Sequence, residues 1–389
     1  MSKRILVLDI ARGAAILGTL GTNIWIFSNL GNYEVLLGTE TTSVFTLDLI
    51  LEAIVLFFTN GKFLGLLTIL FGIGLELKRQ SYIRNNKEKL WIWVYIWGML
   101  LLLADGFLHY LFVFEYDVLM GYAITGIIVA LLIKCKTSVI KTVTITLGVI
   151  HIVGILLFSI LIEIIMRVDE FREEFLMMMN EISYVYLTGS YFDQVLLRLN
   201  DFWGMRGEAI AIIPMNILLF LFGVYLVRKG IFRQSPESIQ ARKKYLFWGL
   251  AIGIPLNALM FIPLFSLGVI VRYLFAPLMA LGYLMAFHWL VEKRPDRFIL
   301  RRLSEVGRTA LSCYMLQNIM ASIIFYGWGF GLGGRVNALQ TIAILAFICL
   351  SMMVFAHLWL KKFNHGPFEI IWRWLTALPF NQLKNKKVG

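Results

Sequence analysis

The sequence predicts an all-α fold, a polytopic integral membrane bundle of about ten transmembrane helices with both termini cytoplasmic. Two observations carry this. Of 389 residues, 59% are hydrophobic and 15% charged, and apolar runs recur at about 20 residues, the length that crosses a bilayer as a helix. The charges that do occur are sorted, with Lys and Arg collecting in alternate loops, as cytoplasmic loops require.

The spans are expected near 5–28, 46–77, 90–112, 117–133, 139–166, 208–228, 244–265, 268–291, 308–327 and 338–361. The first has a basic start but is interrupted by Asp9 and Arg12, so it reads as an uncleaved span and not as a removable signal peptide. The second is longer than a bilayer needs and is broken at Thr59-Asn60-Gly61. After spans two, four, six and eight come the basic loops KRQSYIRNNKEK, KCKTSVIK, RKGIFRQSPESIQARKK and EKRPDRFILRR, and a lysine-containing tail follows span ten. The opposite loops, 29–48 and 113–117, carry acids and no bases, and 167–207 is acid-rich. Five basic segments agreeing with an even helix count place both termini inside.

The domain expectation follows. One helical bundle occupies 1–366, with an extracytoplasmic amphipathic segment at about 167–207, and a cytoplasmic C-terminal tail occupies 367–389. In the 167–207 segment Phe171, Phe175, Leu176 and Met179 recur at helical spacing, which suggests a helix on the membrane surface or over a cavity. At about 40 residues it is too short for a soluble domain with its own core. The net charge of +12 reports loop topology and is no nucleic-acid signal. Cys135, Cys313 and Cys349 are scattered, which argues for neither disulfide nor zinc, and no two histidines show metal-ligand spacing. The glycine runs LFGIGLEL and GWGFGLGG lack the strand and lysine of a phosphate loop.

Chemistry has to come from polar residues within the spans, where ionisable groups are costly and face the interior or a cavity. Asp9 and Arg12 are three apart and share a helix face. Asn23, eleven residues on, falls within about 20° of the same stripe and about 16 Å further along. That stripe is either a packing seam or a functional one. His109 lies nineteen residues after Leu90, about 28 Å of helix, near the outer edge of the hydrocarbon. Asp105 sits one turn earlier and Asp117 just beyond a short link. An acid that holds one ring nitrogen leaves the other to act as a general base; a structural, interfacial His is the alternative.

Taken in order, RILVLDIARGAAILG, Asn23, GKFLGLLTILFGIG, DGFLHYLFVFEYDVLMGYAI, EVGRTALSCYMLQN and HGPFEIIWRWLT resemble the YeiB-like family of bacterial inner-membrane proteins across essentially the whole chain. Through the LDxxRG opening and the Arg-x10-Asn spacing, that family resembles more distantly the heparan-alpha-glucosaminide N-acetyltransferase group and other transmembrane acyltransferases. The resemblance implies transfer of an acetyl or acyl group from cytoplasmic acetyl-CoA, or another acyl-CoA, to an acceptor hydroxyl or amine near the outer face, with no metal. The proposed catalytic His of the lysosomal enzymes falls at Glu34 here and does not transfer; His109, followed eight residues later by Asp117, is its substitute. The family's more usual Gly-Asp is Tyr116-Asp117 in this chain.

The resulting expectation is an acyltransferase of the bacterial cell membrane. In it His109, Asp117, Asp105 and Asn23 do the chemistry, and Asp9, Arg12, Lys78, Arg79 and Arg308 meet the acyl-CoA. Its partners are acyl-CoA, membrane lipid and an acceptor drawn from envelope glycans, lipids or small molecules, with no nucleic acid; a homodimer is compatible with the chain. The alternative is a secondary transporter or flippase for a small envelope metabolite, using the same buried charges. A structural or sensory protein is the third reading.

Overall fold

A computed structural model describes residues 6–32 and 46–385. Among these residues every regular element is helical. In chain order the helices are α1 (Leu6–Ser28), α2 (Leu47–Thr59), α3 (Lys62–Arg84), α4 (Glu88–Phe112), α5 (Leu119–Leu132), α6 (Thr137–Ile165), α7 (Asp169–Thr188), α8 (Tyr191–Asn200), α9 (Phe202–Ala211) and α10 (Ile213–Arg228). They continue with α11 (Pro236–Ala258), α12 (Phe265–Ile270), α13 (Ala276–Lys293), α14 (Phe298–Arg308), α15 (Ala310–Phe325), α16 (Ala338–Leu360) and α17 (Pro367–Asn385).

The helical bundle is as expected, but the count of ten is not reached on length. Among the described residues seven stretches are long and apolar enough to cross a membrane, and an eighth if α9 and α10, bent by 41° at Ile212, form one broken span. The other two expected spans correspond to α5 and α15, of 14 and 16 residues, about 21 and 24 Å of helix. Each is short because the chain before it is spent on something else. The turn before α5 carries Glu115 to Asp117, and α14 precedes α15 as a separate amphipathic helix.

The break in the second span falls where the sequence placed it. Gly61 has φ +75°, a conformation that costs glycine little, and it turns the chain between α2 and α3.

Small residues set the closest approaches. A Cβ on Gly13 would overlap the carbonyl oxygen of Leu303, and one on Gly307 the carbonyl oxygen of Asp9, so α1 and α14 lie backbone against backbone, as glycines allow between membrane helices. This sets the Arg12 guanidinium against α14, where it donates to the Gly307 carbonyl at 3.4 Å. Two buried clusters surround the polar interior. The larger runs from Leu8 to Ala356 through α3, α4, α5 and α10. The smaller joins Phe27, Phe114, Tyr186, Phe325 and Tyr326. In it Phe114 is fully buried and stacks on Phe27 at 4.5 Å; burying such a ring contributes about 1.5–3 kcal/mol and pins the link between α4 and α5.

Candidate functional site

The link between α4 and α5, residues 113–118, is the centre of the site. His109 in the last turn of α4 and Asp117 after the turn are both buried, and the His109 Nδ1–H donates to Asp117 Oδ2 at 2.9 Å. From α15, some two hundred residues away, the Asn318 amide donates to His109 Nε2 at 3.2 Å, and the Tyr314 hydroxyl donates to Asp117 Oδ2 at 3.3 Å. The Met120 backbone N–H donates to Asp117 Oδ1 at 3.2 Å. A neutral imidazole carrying its proton on Nδ1 satisfies both ring contacts. Gly106 makes room for the carboxylate, since a Cβ there would sit 2.8 Å from Asp117 Oδ1.

The backbone of the link is gripped from α9 and α8. Buried Arg206 donates to the carbonyl oxygens of Glu115 at 3.0 Å and Asp117 at 2.8 Å. Buried Arg198 donates to the Tyr186 hydroxyl at 3.1 Å and the Leu111 carbonyl at 3.0 Å, and lies 3.6 Å from Glu115. The Tyr326 hydroxyl donates to Glu115 Oε2 at 3.2 Å. Burial, with the Glu115 carboxylate nearby, holds the Tyr186 phenol well above its ordinary pKa, so it stays neutral beside the guanidinium. Charged hydrogen bonds of this kind contribute about 1.5–3 kcal/mol each.

Two cavities meet beside this centre. One, of about 2120 Å³, opens among residues 85–89 of the basic-loop face and follows α3 from Tyr82 to Leu67, about 22 Å of helix. It is lined by six Lys and Arg residues against three Asp and Glu. The other, of about 70 Å³, lies in the opposite half and includes Asn23, Asp117, Arg206, Glu208 and Arg272 in its wall. Val118, Tyr122 and Tyr314 line both and form the constriction between them.

The residues singled out in the sequence distribute over this arrangement unevenly. Asp9, Arg12, Lys78 and Arg308 line the large cavity. Arg12 and Asp9 pair at 3.3 Å. The Lys78 ammonium lies 5.6 Å from the Tyr95 ring centroid and 6.0 Å from that of Trp372, and no carboxylate pairs with it among the described residues. Arg79 does not belong with them: it pairs with buried Glu76 at 3.1 Å, which Arg228 also meets at 3.2 Å, because one residue of helix turns it about 100° from Lys78. Asn23 and Arg12 share a stripe on α1 but face different cavities. His109 lines neither cavity and lies behind Asp117. Asp105 is half-buried and makes no hydrogen bond among the described residues, so Asp117 is the acid that orients His109. Glu34 lies outside the described residues.

Several participants escaped the sequence reading. Tyr314 and Asn318 are spaced four apart within LSCYMLQN, one face of α15, and that spacing is the signal that could have found them. Arg198 and Arg206 carry no local signal. Arg272 sits on a π-helical turn, Val271–Phe275, and bonds Glu208 at 2.8 Å and Asn60 at 3.0 Å; such turns often mark functional positions. The expected C-terminal tail is largely α17, whose Glu369 accepts from the Leu311 N–H at 2.7 Å and the Ser312 hydroxyl at 2.5 Å, and whose Trp372 and Arg373 line the large cavity. Among the described residues no group of three or more His, Cys, Asp or Glu side chains converges as a metal would require.

Residues 226–379 match a family described as protein of unknown function, DUF418. The chain is 28% identical to the uncharacterized protein YxaH of Bacillus subtilis, over 99% of this chain and 97% of that protein. It is 25% identical to the uncharacterized protein YeiB of Escherichia coli, over 96% of each. Along nearly its whole length the chain is similar to YeiB-like proteins. No solved structure matches it. The family segment holds Arg308, Tyr314, Asn318 and the first part of α17, to residue 379, whereas His109 and Asp117 lie outside it; the YeiB-like relatives align across both halves.

Proposed function

We propose that this YeiB-like protein is a transmembrane acyltransferase that takes an acetyl or other acyl group from cytoplasmic acyl-CoA. The observation that supports it is the pair of unequal cavities meeting at Tyr314 beside the His109–Asp117 pair. The large cavity exceeds the roughly 300–1,000 Å³ of ordinary ligand pockets and has a basic wall suited to a long polyanion. Lys78 and Arg308 meet the phosphates, and the thioester lies at the constriction. The smaller cavity takes the acceptor hydroxyl or amine, supplied by a glycan, lipid or small molecule of the envelope.

Of the buried pair, Asp117 faces the acceptor, so it takes the acceptor's proton while His109 and Tyr314 hold its Oδ2. The acceptor oxygen or nitrogen attacks the thioester carbonyl, Asn23 donates to the developing oxyanion, the C–S bond breaks, and the thiolate leaves with the proton that Asp117 took from the acceptor, which returns the carboxylate to its starting state. Movement of Tyr314 or Tyr122 opens the constriction for this step. The basic-loop face is the cytoplasmic one, which puts both termini inside and the protein in the bacterial cell membrane.

Two cavities divided by three side chains also suit a carrier with alternating access. Purified protein in proteoliposomes, given acetyl-CoA and envelope extract, should release free CoA thiol and bind acetyl-CoA saturably. Uptake of an envelope metabolite without any acyl-CoA binding would favour the carrier and sink the enzyme.

A further inference from the structure

Helix α8 is built inside out for a helix in water. Its polar side chains Gln194 and Arg198 are buried, at 0% and 1% exposure, whereas Phe192, Leu196 and Leu199 are 75%, 52% and 51% exposed. At 100° per residue the three exposed side chains fall within about 60° of one another and opposite the buried pair. Trp203, at the start of α9, is 76% exposed. The capping box of Ser190 and Asp193 starts the helix, so its orientation is that of a well-formed element.

The exposed stripe adjoins the apolar outer surface of α4. The Tyr191 hydroxyl donates to the Phe112 carbonyl at 2.8 Å, the Phe202 and Phe107 rings lie 6.2 Å apart, and Phe107, Leu108 and Phe112 are themselves exposed. Counting about 30 Å of hydrocarbon from Leu90 at about 1.5 Å per residue reaches residue 110. Phe107, with Phe202 against it, therefore sits within the hydrocarbon, and the surface running from α4 onto α8 is one lipid-facing surface.

We propose that α8 and the start of α9 are seated in membrane lipid through Phe192, Leu196, Leu199 and Trp203, and do not form a water-facing cap. Gln194 and Arg198 point inward because lipid cannot solvate them, and the exposed polar residues Asp193 and Asn200 sit at the two ends of the helix. Arg198 and Arg206, on the inner side of the same two helices, then hold the 113–118 link from within the membrane, so the setting of Asp117 is tied to lipid contact. This rests on the protein's being embedded in a membrane and not on its being an acyltransferase.

The test is spin-label accessibility in nanodiscs of phosphatidylcholine and phosphatidylglycerol. The full chain is used with Cys135, Cys313 and Cys349 replaced by alanine and one nitroxide carried at Leu196→Cys. Ile150→Cys, exposed on α6, is the lipid standard, and Asp296→Cys, in a basic loop, is the aqueous one. The nitroxide at 196 is expected to match 150, collisions with oxygen exceeding those with nickel chelate. A signal like that at 296 would overturn the proposal, and so would shielding from both reagents, which would mean a protein surface or a second copy covers the stripe. Phe192→Cys, read in the same way, guards against a local distortion at 196.

Discussion

The two cavities differ in volume by roughly thirtyfold, and they differ as much in how their charges are used. In the large one Lys78 has, among the described residues, aromatic faces and no carboxylate beside it, so its charge is available to a ligand. In the small one Arg206 is spent on two backbone carbonyls and Arg272 on Glu208 and Asn60. A roomy wall that keeps one cation uncommitted binds; a tight wall whose cations are already bonded holds geometry. The contrast teaches that the division of labour between donor binding and chemistry, on the proposed reading, follows from which charges are satisfied internally.

Substitutions at four positions would break or sharpen that contrast. The largest effect is expected from Asp117→Asn, which removes the carboxylate facing the small cavity: acyl transfer falls by about 10²–10⁴-fold while acyl-CoA affinity, read by titration calorimetry, is unchanged. Equal losses in both would mean that the two cavities are not separable. Next is Arg206→Ala, which strips two charged hydrogen bonds from the Glu115–Asp117 backbone and should cost about 3 kcal/mol or more of stability, seen as a lowered midpoint in detergent melts; Arg206→Lys, lacking the forked guanidinium, should recover only part of it. Lys78→Ala should weaken acyl-CoA binding about tenfold, roughly 1.4 kcal/mol, and reduce its salt dependence without altering the turnover of bound donor. Smallest is Arg79→Ala, one residue along and on another face, which should change donor affinity less than about twofold; a larger loss would place Arg79 on the cavity after all.

Much of the bundle was legible because its signals are local. Apolar length marked the long spans, and Gly61 with its neighbours marked the break between α2 and α3. Where the expected count is not reached on length, at α5 and α15, hydropathy ran on past the polar turn or amphipathic helix that shortens the regular element. His109 and Asp117 were legible as a pair because eight residues and one turn separate them. Their partners Asn318, Tyr314 and Arg206 were not, since each comes from a helix about ninety to two hundred residues away, and hydropathy does not say which helices meet.

By itself the sequence determined an all-helical membrane bundle, the stripe carrying Asp9, Arg12 and Asn23, and an acid available to His109, because periodicity and spacing are properties of a single helix. Only the tertiary structure decided that Arg12 and Asn23 face different cavities, that Asp117 and not Asp105 holds the imidazole, that Arg79 serves Glu76, and that α8 turns its polar side inward. Those outcomes depend on which helix packs against which, and close contacts such as Gly13 against Leu303 and Gly106 against Asp117 set that packing between residues the chain keeps far apart or only loosely linked.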